Sequence, residues 1–88
     1  DKIIIIDIIK KFINLCCIDN DLNTPNPKIQ SIFQKVNAHE EIFLLLSVPY
    51  KQSYHYLFKL CYLFLKQFCM NNKENQLALY PKIEFMLS

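Results

Sequence analysis

Glycine, arginine and tryptophan are all missing from this 88-residue chain, and its ten basic residues are all lysines. Without glycine there is no phosphate-cradling P-loop and no dinucleotide-binding turn, since both bring the backbone close to a ligand where a Cβ would intrude. Without arginine, and with the lysines scattered apart from the pair Lys10-Lys11, there is no basic face to track nucleic-acid phosphates. The two histidines and four cysteines (Cys16, Cys17, Cys61, Cys69) form no C-x-x-C pair and no Cys-His cluster, so neither a metal nor a cofactor is expected. The stretch "DNDLN", Asp19 to Asn23, begins like a calcium loop but lacks that loop's glycine and closing glutamate. His39 and His55 have no nucleophile or paired carboxylate beside them, so the chain does not read as an enzyme.

Long apolar runs are missing too. Asp7, Lys10 and Lys11 break the isoleucine-rich N-terminus, and Lys59 and Lys66 bound the run from Leu60 to Leu65. A spanning helix needs about 20 mostly apolar residues, so no membrane contact is expected of this segment. The cysteines all fall on apolar stretches, as reduced, buried thiols of a cytosolic protein would.

What the chain does have is apolar surface in excess of its size. Hydrophobic residues make up 52% and aromatics 14%, yet a chain this short buries only about 60–65% of its unfolded surface. The surplus must face a neighbour or stay exposed. That mismatch, and a start at Asp1, lead to the expectation that residues 1–88 form a single helical-repeat segment of a larger chain.

The periodicity is helical throughout. Asp7, Lys10, Lys11 and Asn14 form one polar stripe on a helix from Lys2 to Ile18, leaving a wide buried arc. Asp19 to Pro27 reads as a surface loop, and Asn26-Pro27 supplies an N-cap and a first-turn proline for the next helix. Ile29, Ile32, Phe33 and Val36 mark the expected inner face of that helix. "NAHE", Asn37 to Glu40, has capping-box spacing ahead of an all-apolar helix closed by Val48-Pro49. The longest helix is expected from about Ser53 to Cys69, and Asn71-x-x-Glu74 again has the spacing of a cap. A last helix runs from Lys73 to about Tyr80, where Pro81 ends it or opens a final turn. The expected fold is all-α, about five or six short helices joined as hairpins, with no strands. The polar island Asn71 to Gln76 reads as a helix-breaking corner whose amides fasten backbone groups.

Two linked blocks carry a resemblance. "NAHEEIFLLLSVPY" (Asn37 to Tyr50) and "FLKQFCMNNKENQLALYPKIEFMLS" (Phe64 to Ser88) resemble the armadillo-like helical repeat region of the inositol trisphosphate receptors, calcium-release channels related to ryanodine receptors. The matching features are Ala38-His39, Pro49-Tyr50, Phe64-Leu65, Phe68-Cys69, Asn72 with Asn75-Gln76, and Phe85 with Leu87. The structural signature is thus Ala38, His39, Pro49, Phe68, Cys69, Asn72, Asn75 and Gln76. One departure is Met70-Asn71, where many members of that family carry a small residue or glycine. Asparagine tolerates left-handed backbone better than other non-glycine residues, so Asn71 or Asn72 is expected to make that turn.

The resemblance implies a piece of an α-solenoid between a ligand-binding region and a pore, in a structural and signal-relay role. It implies flanking helical repeats of the same chain as partners, a homotetramer as the full-length channel, and a place on the cytosolic side of the endoplasmic reticulum or another calcium store. It transfers no ligand contact, pore residue or calcium ligand. Two other readings remain at this stage: an unrelated armadillo- or HEAT-type interaction scaffold, and a small enzyme with an unrecognised site.

Overall fold

The computed structural model describes residues 2–87, with side chains described for 2–82. Five α-helices make up most of them: α1 (Lys2–Leu15), α2 (Pro27–Lys35), α3 (Ala38–Leu46), α4 (His55–Cys69) and α5 (Lys73–Leu87). A 3-10 turn over Gln52–Tyr54 leads into α4. The all-α reading holds, and α4 is the central element on which α1, α2, α3 and α5 all pack. The expected features at Phe85 and Leu87 lie outside the described side chains.

The core is an aromatic column. Phe12 of α1, Phe33 of α2 and Phe64 of α4 meet with ring centroids 4.9–5.9 Å apart. Phe64 then stacks on Phe68 at 5.9 Å, and Phe68 on His39 at 5.0 Å. Both Phe64 and Phe68 are fully buried, and tilted aromatic pairs at these separations add to the stability gained from burial.

The expectation of no strands fails at the first loop. Cys17–Ile18 and Asp21–Pro25 pair as β1 and β2 of a small antiparallel hairpin. Asp19 and Asn20 make its turn, both with positive φ (54° and 59°). A two-residue loop with both φ positive has the hand that matches strand twist. Asp21 then folds the returning strand onto itself: its carboxylate accepts from the Thr24 hydroxyl at 2.7 Å and the Asn23 amide at 3.0 Å. Those bonds, Thr24 first, hold its carboxyl below the usual range. The side chains that suggested a loop are the ones that build the hairpin, which also shortens α1 to Leu15.

Two further expectations are refined. Asn37 is the N-cap residue of α3 as expected, but it sits at φ 59° in the left-handed region and, among the described residues, makes no capping side-chain bond; it also serves as the reversal after α2. At the other end of α4, Asn71 (φ 52°) takes the left-handed role and the next residue, Asn72, caps α5, its Oδ1 accepting from the Asn75 amide at 3.0 Å. The Asn26 cap is as expected, with Oδ1 accepting from the Ile29 amide at 3.3 Å. Helix α5 passes straight through Pro81, leaving the Leu77 carbonyl without its helical donor. Leu77 is exposed, so water can serve that carbonyl.

Candidate functional site: an amide-locked corner beside an apolar groove

The reversal between α4 and α5 has to satisfy the last carbonyls of α4 without a glycine cap. Helix ends leave four carbonyls without an intrahelical partner. Here side-chain amides take them. Gln30 of α2 donates from Nε2 to the Gln67 carbonyl at 2.7 Å and the Met70 carbonyl at 3.0 Å. Asn75 of α5 donates from Nδ2 to the Phe68 carbonyl at 2.9 Å and the Gln30 carbonyl at 3.1 Å. Gln76 donates to the Cys69 carbonyl at 3.0 Å. Asn72 closes the network by donating from Nδ2 to Gln30 Oε1 at 3.1 Å.

Gln30 and Asn75 are each 1% exposed, so these are dry bonds joining three helices. Leaving any one of the buried partners unpaired costs about 1–3 kcal/mol. Gln76 is exposed, so its single bond has water as an alternative partner.

The structure gathers most of the signature residues here. Phe68, Cys69, Asn72, Asn75 and Gln76 line the corner, and His39 joins them through its stack on Phe68. Ala38 lies buried beside His39 at the start of α3, whereas Pro49 is exposed past the other end of that helix. Sequence reasoning missed Gln30 and Gln67, both 1% exposed. The spacing held a signal for Gln30, which lies three residues before buried Phe33 on the same helical face. That face is rotated from expectation, since Ile32 and Val36 are exposed.

His39 is 4% exposed, and its Nδ1 has no hydrogen-bond partner among the described residues. Its Nε2 lies 3.9 Å from Glu40 Oε1, and the other oxygen of that carboxylate lies 3.4 Å from Lys82 Nζ of α5. Burial holds the imidazole below its ordinary value, Glu40 pulls it up, and Lys82 adds to the lowering. The thiols are also held neutral: burial pushes Cys16 up to about 12, with Cys17 adding to the rise, and pushes Cys61 and Cys69 up to about 11. Among the described residues no group of three or more His, Cys, Asp or Glu could hold a metal ion. None of the described helices is long and apolar enough to cross a membrane.

Between α1 and α3, against Phe33 of α2, lies an open groove of about 580 Å³. Ile9, Phe12, Phe33 and Ile42 line it, with Ile8, Val36 and Leu44 reaching into solvent at its margins. Among the described residues, Glu41 is the one charged group along it. Ile3, Ile4 and Leu15 are exposed as well, so the wide buried arc expected of α1 is only half covered. Leu44, 62% exposed, departs in the same way from the all-round burial expected of α3.

Comparison with known proteins gives a consistent result. A family model described as the RIH domain matches residues 13–88. The chain is 48% identical over 46 residues to the inositol 1,4,5-trisphosphate receptor-like protein A of Dictyostelium discoideum. That alignment covers 50% of this chain and 1% of the relative, so the chain spans only a small part of the curated protein it matches. No solved structure matches it.

Proposed function

Because the chain belongs to the RIH-domain family of inositol trisphosphate and ryanodine receptors, we propose that it is a helical packing segment in the cytosolic part of an intracellular calcium-release channel. Its work is mechanical: it stacks as one unit of an armadillo-like solenoid and carries conformational change between the ligand-binding region and the pore. Its partners are flanking helical repeats of the same polypeptide, and the complete channel is a homotetramer on a calcium-store membrane such as the endoplasmic reticulum. The family match displaces the alternative of an unrelated armadillo- or HEAT-type scaffold.

The observation that carries this reading is the uncovered groove between α1 and α3. Exposed contiguous apolar surface marks a contact site, and repeat proteins bury such faces only by stacking. A flanking helix would lay an aliphatic stripe along Ile8 and Leu44, with a basic residue placed to meet Glu41.

Leu44→Lys tests this reading in two settings. In a longer polypeptide with its native flanking sequence, the substitution should lower Tm by several degrees. In the 88-residue chain alone, where Leu44 is 62% exposed, it should leave Tm almost unchanged. Equal responses in both settings would mean that nothing covers the groove, and the packing role would be lost with it.

A further inference from the structure

The buried imidazole of His39 makes none of the corner's amide hydrogen bonds and does not line the groove, and its surroundings make it sensitive to protons. Its ring lies flat on Phe68, centroids 5.0 Å apart and planes at 26°, with Nδ1 buried and without a hydrogen-bond partner among the described residues. On the other side Nε2 faces Glu40, 3.9 Å away, while Glu40 itself reaches across to Lys82 of α5. One carboxylate thus stands between two cationic candidates on different helices. Only one of them is charged when the imidazole is neutral.

We propose that His39, Glu40 and Lys82 form a proton-operated latch, in which a proton on the imidazole draws Glu40 toward His39 and releases α5 from α3. In this latch the neutral ring carries its hydrogen on Nε2, the nitrogen nearer Glu40, and Nδ1 is a buried lone pair. A proton taken from water can bind only at that lone pair. It turns Nδ1 into a charged donor with no acceptor, a costly state in a dry site. Glu40 moves closer and shares the charge, which weakens its pair with Lys82, the ion pair that ties α5 to α3.

Among the described residues, the charged groups that act on the imidazole are Glu40 on its own helix and Lys82 on α5; α4 presents the Phe68 ring. Burial already opposes protonation, so the folded ring takes its proton at lower pH than an exposed histidine. The sign follows from that. A lowered histidine makes the folded state most favoured above about pH 6.5, the ordinary histidine value, and less so as pH falls toward the folded value. Acidification through the slightly acidic range therefore weakens the latch.

The test is urea unfolding of the 88-residue chain at pH 7.5 and pH 5.5, followed by circular dichroism, with protection factors of the α5 amides from hydrogen exchange. The wild-type midpoint should fall between the two pH values, and α5 protection should drop roughly two- to fivefold, the equilibrium factor of an exposed ion pair. His39→Gln should remove the step in midpoint. His55→Gln, at an exposed position, should keep it. Lys82→Met should remove the pH-dependent drop in α5 protection while the step in midpoint remains. Should His39→Gln not fold, proton NMR of the wild-type chain decides, with His39 titrating below the ordinary histidine value of about 6.5. A midpoint step that survives His39→Gln, or a His39 ring that titrates at or above about 6.5, overturns the latch.

Discussion

Asn75 and Gln30, forty-five positions apart, hold each other across the α2–α5 contact: the Asn75 carboxamide donates to the Gln30 carbonyl at 3.1 Å while both side chains stay out of water. The same Asn75 nitrogen also serves the Phe68 carbonyl at 2.9 Å. Replacing Asn75 with leucine removes both donors and keeps the volume similar, so the buried Phe68 carbonyl loses its side-chain donor and the Gln30 carbonyl is left with its helical one. The expected loss is about 2–4 kcal/mol of unfolding free energy, near the upper end for a single buried substitution. Equilibrium urea unfolding at pH 7.5 measures it.

Gln76→Leu makes the contrasting case. The sequence alone gave Asn75 and Gln76 equal weight, but Gln76 is exposed and holds only the Cys69 carbonyl. Its replacement should change stability by within about 0.5 kcal/mol, the usual range for a surface site. The pair of variants, unfolded side by side, tests whether the network draws its strength from dryness or from the number of its bonds.

The left-handed turn residue gives a prediction of opposite sign for two small substitutions. Asn71 sits at φ 52°, where a Cβ is penalised and asparagine is the best-tolerated exception. Asn71→Ala should cost about 1 kcal/mol, and Asn71→Gly should be neutral or slightly stabilising. Thermal melts of both variants check the order.

Thiol chemistry supplies a prediction on the alkaline side. Burial pushes Cys16 up to about 12 and Cys61 up to about 11 from an ordinary 9.0. The neutral form is favoured in the fold, so stability is intact below pH 9 and declines as pH rises from there, because only the unfolded chain ionises freely. At pH 8 iodoacetamide should leave Cys16 and Cys61 unmodified in the folded chain and alkylate them once urea unfolds it. Mass spectrometry before and after unfolding reads the difference.

The sequence disclosed the helices more fully than it disclosed what joins them. Asn26-Pro27 was legible because cap and first-turn proline are local rules, and the column Phe12, Phe33, Phe64 and Phe68 sat on helical faces that periodicity finds. The hairpin was hidden because Asp19 and Asn20 serve equally well in an irregular loop and in a two-residue turn; only the pairing of Cys17–Ile18 with Asp21–Pro25 distinguishes them. Asn37 was placed correctly at the start of α3, but its left-handed backbone was not legible, because the same residue type caps a helix start and makes a left-handed exit. Gln30 escaped because its function depends on carbonyls at Gln67 and Met70, 37 and 40 residues later, and no local pattern encodes that meeting. The exposed faces of α1 and α3 were anticipated in amount, from composition, but not in place.

The corner that holds α5 is built wholly from carboxamides and peptide groups, none of which gains or loses charge in water at any ordinary pH. Its grip is therefore indifferent to acidity and little affected by salt. Lys82 lies seven residues further along the same helix, about 10 Å by helical rise. A helix clamped by neutral bonds at one end and by an ion pair further out behaves as a lever: solution conditions act on the arm, and the fulcrum at Asn75 stays where it is.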